Sequence, residues 1–179
     1  MTPSPKIIIL GTSHPLQCGT DKFSSDQISE FKRLVHEICE NEKVINIVEE
    51  MNDEGLAIHG VENTICYYIA SEKNIKHSYI DLSSELKSAL GVSDGQIVSI
   101  ALRETDNGKI NSMRELLTEK LLHSIRERYW LSHILRENTW PTLFICGSDH
   151  GQAMQDLVNC VGYGPMLSWF RHCPEELKK

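Results

Sequence analysis

Short apolar runs alternate along the chain with longer segments in which apolar residues recur at helical spacing. Four of the short runs are predicted to be strands: Lys6–Leu10, Val44–Val48, His77–Ile80 and Thr142–Cys146. Helical spacing predicts helices after the Ser24-Ser25-Asp26 caps, over Val61–Asn74, from Ser83 to Leu90, from Asn111 or Ser112 to about Glu137, and over Gln152–Cys160. The remaining segments predict a flexible stretch at Asn52–Gly60, a turn at Gly162–Pro165 and a frayed tail at Pro174–Lys179, while Gly91–Asn111 fits no single class.

The order and character of these elements indicate the fold class. The predicted strands are solid apolar runs rather than alternating ones, which is typical of parallel strands with both faces covered. Alternation of strands and helices then predicts an α/β fold, a three-layer sandwich with a mainly parallel central sheet. Since the chain of 179 residues has no internal repeat and no Ser/Gly linker, we expect residues 1–179 to form a single domain.

The net charge and the cysteine content indicate which partners and which cellular compartment we expect. With 18 basic and 25 acidic residues the net charge is −7, so a phosphate backbone would be repelled and we expect no nucleic-acid partner. The apolar runs are too short to cross a bilayer and the first residues lack a secretory signal, so we expect a cytoplasmic protein without membrane contact. Six cysteines without C-x-x-C spacing are expected to be reduced thiols. Cys18 could be a nucleophile beside His14, although a bystander thiol is the favoured interpretation.

Chemically active side chains follow each predicted strand. The four strands lead into Gly11–His14, Glu49-Glu50, Asp81 and Gly147–His150. Ligand sites of parallel α/β sheets form just beyond the carboxyl ends of the strands. Because the pattern G-x-x-H follows both the first and the last predicted strand, we expect the two imidazoles to share one cleft.

The residue types in this cleft predict a metal site. His14 and His150 together with a carboxylate supply the nitrogen and oxygen ligands that Zn²⁺, Mn²⁺, Co²⁺ or Fe²⁺ accept. Either Glu49 or Glu50 could complete the shell or activate a metal-bound water, since adjacent strand residues point to opposite faces unless the strand has ended. We assign His14, Glu49 and His150 as metal ligands and Glu50 as the catalytic base.

Two G-x-x-H motifs around an acidic strand end resemble the TraB/TIKI family and its relatives, the ChaN-like and erythromycin-esterase-like proteins. The resemblance rests on Ile8–His14, Val48–Glu50 and Ile145–His150. It implies a compact α/β domain in which the histidines, a glutamate and an arginine from a long helix gather in one cleft. The segment Ile125–Trp130 looks like the family's arginine segment, and Tyr79–Asp81 is similar to its acidic strand end.

The resemblance also sets the expectations for function. Arg128 is the preferred counterpart of the family's arginine because it precedes the aromatic pair, with Arg126 second, and Arg128 would stabilise an oxyanion. We expect a metal-dependent hydrolase that cleaves a peptide or ester bond in a peptide or small-molecule substrate. The alternatives are a non-catalytic module that binds iron, haem or a small acidic ligand, and an interaction protein that keeps the cleft as a scaffold. Exposed Trp140, Trp169 and Phe170 would be compatible with a homodimer.

Each of these residues could also have a purely structural role. His14 and His150 could be loop or helix-capping histidines. Glu49-Glu50 could form a solvated acidic corner, and Asp81 could cap the helix that follows it. Arg128 could lie on the solvated face of its helix.

Overall fold

Five parallel strands form one sheet in the computed structural model, which describes residues 5–90, 92, 112–160 and 169–172. In chain order the strands are β1 (Ile7–Thr12), β2 (Asn46–Glu49), β3 (Lys76–Tyr79), β4 (Thr142–Gly147) and β5 (Trp169–His172). Their order across the sheet is β3-β2-β4-β1-β5, and every pair is parallel. The predicted α/β fold with a parallel sheet is confirmed.

Helices connect the strands. They are α1 (His14–Gln17), α2 (Ser25–Asn41), α3 (Asp53–Ile58), α4 (Ile65–Lys73), α5 (Ser84–Ala89), α6 (Ser112–Glu137) and α7 (Gly151–Cys160), and a 3₁₀ turn over Ser148–His150 joins β4 to α7. Within the described residues, no helix combines the length and apolar character needed to cross a membrane.

Two elements differ from the sequence prediction. The expected flexible stretch contains α3, because Asn52 caps this helix and its Oδ1 accepts a hydrogen bond from Gly55 N at 2.8 Å. Strand β5 was not predicted, since its four residues, Trp-Phe-Arg-His, lack the β-branched run that marks the other buried strands. The segments 162–165 and 174–179, and 91–111 apart from Val92, lie outside the described residues.

The sheet separates two apolar clusters because alternate residues of each strand point to opposite faces. One face packs against α2 and α4, and its cluster includes Ile8, Leu10, Leu34, Ile47, Ile69 and Ile145. The other face packs against α6 and α7, and its cluster includes Ile7, Ile9, Val48, Trp130, Phe144 and Met154. Strands β1, β2 and β4 are therefore buried on both faces, as predicted for β1 and β4 from their solid apolar sequences, whereas β3 at the edge of the sheet is only partly buried.

The topology places the ends of three central strands together. Strand β4 lies between β2 and β1, with Glu49 opposite Ile145 and Thr12 opposite Gly147. The chain after β1 and β2 leads to α2 and α4 on one face, whereas the chain after β4 leads to α7 on the other. This divergence of neighbouring connections is the position at which open α/β sheets form binding crevices.

Candidate functional site

Glu50 is the centre of the polar cluster at this edge of the sheet. It follows β2 directly and is 1% exposed. Its Oε2 accepts a hydrogen bond from the backbone N–H of Gly147 at 2.7 Å, and its Oε1 accepts one from Nη2 of Arg126 at 2.6 Å. Because both carboxylate oxygens have a donor, the orientation of the side chain is fixed.

Both predicted histidines approach the same oxygen of Glu50. Nε2 of His14, the first residue of α1, lies 3.6 Å from Oε1, and so does Nε2 of His150, the last residue of the 3₁₀ turn. The structure therefore brings together His14, Glu50 and His150 from three strand ends. The two imidazoles differ in access, since the His14 side chain is 36% exposed and that of His150 is 6% exposed.

Arg126 of α6 joins Glu50 to the end of β3. Besides its bond to Glu50, its Nε and Nη2 donate to Oδ1 of Asp81 at 3.2 and 3.0 Å. Asp81 also accepts from Nε1 of Trp130 at 3.2 Å, and its Oδ2 lies 2.9 Å from Nζ of Lys87. Asp81 is thus part of the cluster, and it holds the guanidinium in place.

The preference for Arg128 over Arg126 requires correction. Arg128 is exposed and its Nη1 donates to the carbonyl of Ser124 at 3.0 Å. Residues two positions apart on an α-helix lie roughly 200° apart around its axis, so only one of these arginines can face the sheet. The useful signal was the spacing of four between Arg126 and Trp130, because it stacks the guanidinium over the indole at 4.8 Å.

Glu49 faces away from this cluster, so the expected ligand set of His14, Glu49 and His150 is not assembled. Its Oε1 accepts a hydrogen bond from the hydroxyl of Thr64 and lies 2.8 Å from Nε2 of His77. The opposite directions of Glu49 and Glu50 follow from the two-residue period of β2. The interpretation of this pair as a solvated acidic corner is also wrong, because both residues are buried.

Glu50 cannot simply replace Glu49 as a metal ligand beside the two imidazoles. A cation bound to its Oε1 would lie next to the guanidinium of Arg126, which donates to the same oxygen. Such a cation would experience charge repulsion and would compete with a charge-assisted hydrogen bond. The polar cluster around Glu50 is therefore better suited to proton transfer than to metal binding.

A different group of residues could hold a metal ion. His123, Glu127 and His150 each offer one ligand atom, and these atoms lie within 4.8 Å of one another. Nδ1 of His150 is 2.9 Å from Oε1 of Glu127, and the rings of His123 and His150 are 4.4 Å apart between centroids. Sequence reasoning missed the two helical residues, although their spacing of four in α6 predicts a shared helix face.

The charges of the cluster are strongly coupled. Burial alone would raise the pKa of Glu50, but His14, His150 and Arg126 together lower it to about 2. Burial alone would lower the pKa of His14, but the carboxylate of Glu50 raises it above the ordinary 6.5. Glu50 is thus ionised at neutral pH, and its charge makes His14 a stronger base.

A cleft of 330 Å³ opens beside this cluster. Its polar wall includes His14, Glu50, Asp81 and Arg126, and α3 contributes the apolar side chain of Ile58. His150 does not line the cleft but lies behind Glu50. Of the two imidazoles, only that of His14 is therefore in position to meet a bound molecule directly.

Comparisons with known proteins do not assign this chain to a family. No family model, no curated protein and no solved structure matches the chain. Membership of the TraB/TIKI family accordingly stays a prediction from the two G-x-x-H motifs.

Proposed function

We propose that this chain is a hydrolase that cleaves an ester or peptide bond in a small substrate bound in the cleft. The observation that supports this most directly is the pairing of His14 with Glu50. The imidazole lines the cleft, and its Nε2 lies 3.6 Å from a buried carboxylate. A histidine whose imidazolium form is stabilised by a buried acid is the usual general base of metal-free hydrolysis.

In this mechanism the His14 imidazole takes a proton from a water molecule in the cleft. Because Nε2 faces Glu50, the proton goes to Nδ1, and the carboxylate stabilises the imidazolium that forms. The resulting hydroxide attacks the carbonyl carbon of the substrate and gives a tetrahedral oxyanion. When the intermediate collapses, the bond to the leaving group breaks and His14 returns the proton to that group.

Arg126 is the residue that would stabilise the oxyanion. Its Nε and Nη2 are bound to Asp81 and Glu50, while Nη1 forms no hydrogen bond with a described residue. The guanidinium lines the cleft and is held on two sides before substrate binds. A fixed charged donor of this kind lowers the barrier because it does not have to reorganise during the reaction.

The dimensions of the cleft favour a small substrate. A volume of 330 Å³ is at the lower end of the range for ligand pockets, which is about 300–1,000 Å³. Met51 and Ile58 supply apolar surface for an acyl group, and Lys87 and Arg126 supply positive charge. Short acyl esters and small peptides are the compounds to test first.

The test is hydrolysis of short-chain p-nitrophenyl esters and dipeptides by the wild type and by His14→Ala. We expect His14→Ala to lower kcat by about 10²–10⁴, the usual contribution of a general base. His36→Ala is the matched control, because His36 is a partly exposed histidine on α2, and it should leave kcat unchanged.

Two outcomes would overturn the hydrolase function. One is equal turnover by the wild type and His14→Ala. The other is saturable binding of these compounds in the cleft without turnover, which would support the ligand-binding alternative instead.

A further inference from the structure

The side of His150 that faces away from Glu50 meets two residues of α6. Nδ1 of His150 lies 2.9 Å from Oε1 of Glu127, and His123 is one helical turn before Glu127. Trp130 packs edge-on against the His150 ring, with centroids 4.9 Å apart and planes at 88°. This packing restricts rotation of the ring, so Nδ1 stays directed at α6.

We propose that His123, Glu127 and His150 bind a divalent transition-metal ion. Two imidazoles and one carboxylate form a ligand set that zinc sites in proteins use, whereas Mg²⁺ and Ca²⁺ prefer oxygen ligands alone. Glu127 and His150 are buried, with 4% and 5% exposure, and His123 is partly exposed. The ion would supply the positive charge that a buried carboxylate needs as a partner.

Only a small adjustment is needed to close the site. The three ligand atoms lie within 4.8 Å of one another, and ligands about 2.1 Å from a tetrahedral zinc ion are about 3.4 Å apart. Nδ1 of His150 and Oε1 of Glu127 are 2.9 Å apart, so they would separate by about 0.5 Å when the ion replaces their hydrogen bond. The remaining movement falls to the side chain of His123, which is partly exposed.

The metal site and the cleft share His150 but have different roles. None of the three ligands lines the cleft, so the ion would not contact substrate directly. Nε2 of His150 lies 3.6 Å from Oε1 of Glu50, too far for a hydrogen bond but close enough for an electrostatic interaction. The ion would therefore hold the His150 ring in a constant position beside Glu50.

The experiment measures Zn²⁺ binding to the full chain, purified without a histidine tag and freed of metal with a chelator. Calorimetric titration with ZnCl₂ should give one ion per chain for the wild type. His123→Ala should weaken binding at least tenfold, and Glu127→Gln should do the same. The matched control is His133→Ala, a partly exposed histidine on the same helix that contacts Tyr129 and Arg136 rather than the site.

A second control separates this site from the hydrolytic cleft. His14→Ala should bind Zn²⁺ as the wild type does, whether or not the wild type hydrolyses esters, because His14 is not one of the ligands. Absence of binding by the wild type would overturn the metal site, and so would loss of binding in His14→Ala together with retention in His123→Ala.

A measurement on the wild type alone avoids dependence on variants that fail to fold. Addition of one equivalent of Zn²⁺ should shift the imidazole ¹⁵N resonances of His123 and His150 and leave those of His36 and His133 in place. Unshifted resonances of His123 and His150 would show that the hydrogen bond between Glu127 and His150 exists without a metal.

Discussion

Replacement of Glu50 by glutamine tests whether one buried carboxylate organises the cluster. Glutamine keeps the shape of the side chain but removes the charge that interacts with His14, His150 and Arg126. The pKa of the Glu50 carboxyl falls from 4.5 to about 2 in the folded protein. Since one pH unit corresponds to about 1.4 kcal/mol, the ionised form stabilises the folded state by about 3 kcal/mol.

The sign of the pH dependence follows from the lowered pKa of Glu50. Its stabilising contribution is complete above pH 4.5 and is lost as the pH falls towards 2, because the unfolded chain takes up the proton first. Glu50→Gln should therefore unfold about 3 kcal/mol more easily than the wild type at pH 7. This difference should shrink as the pH falls from 4.5 to 2.

Urea denaturation in the presence of a chelator measures the loss of stability at pH 7 and its dependence on pH, without a contribution from bound metal. Domains of this size have free energies of unfolding of about 5–15 kcal/mol, so the variant should remain folded at pH 7. Glu62→Gln is the control, because Glu62 is exposed and should change stability by less than about 0.5 kcal/mol. If Glu50→Gln is as stable as the wild type at pH 7, or if the difference does not vary with pH, the charge of Glu50 does not stabilise the fold.

Further predictions concern the helix arginines and the cysteines. Arg126→Ala should lower kcat for ester hydrolysis much more than it raises KM. Arg128→Ala should change neither constant, because Arg128 lies outside the cluster. Equal effects of the two substitutions would contradict the placement of Arg126 in the site. Cys160 is exposed, while burial raises the pKa of Cys18 to about 11 and that of the Cys146 thiol well above its usual value. Iodoacetamide at pH 8 should therefore modify Cys160 before Cys18 or Cys146, as peptide mass mapping can determine, and faster modification of Cys18 would speak against its burial.

The sequence predicted the centre of the site because its residues follow strands directly. His14, Glu50 and His150 come after three apolar runs, and the carboxyl ends of parallel strands lie at one edge of a sheet. The juxtaposition therefore depends on topology, which the alternation of strands and helices indicates. No information on side-chain rotation was required for this part.

The contributions of the helices were harder to predict because they depend on rotation about the helix axis. Arg126 and Arg128 belong to the same helix, and only contact with Asp81 and Trp130 shows which of them faces the sheet. The group formed by Glu127 and His150 likewise depends on how α6 packs against the end of β4. Periodicity alone does not determine that packing.

The position at which β2 ends was a second feature that the sequence did not determine. Whether Glu49 or Glu50 faces the cleft depends on where the strand geometry of β2 stops, and a shift of one residue exchanges their directions. The backbone N–H of Glu50 still donates to the carbonyl of Ile145 at 2.8 Å, so strand-like pairing continues through this residue. Glu49 and Glu50 accordingly point to opposite faces.

The decisive measurement for the pairing of His14 with Glu50 is the pH dependence of kcat/KM for ester hydrolysis in the wild type and in Glu50→Gln. His14 acts in its neutral form, and the Glu50 charge raises the pKa of His14 above 6.5. The wild-type rate should therefore fall on the acid side at a pH above 6.5. In Glu50→Gln, burial and the charge of Arg126 lower the pKa of His14 and only the weaker effect of Asp81 opposes them, so the fall should occur below pH 6.5. An acid limb at the same pH in both proteins would contradict the pairing of His14 with Glu50 as the catalytic unit.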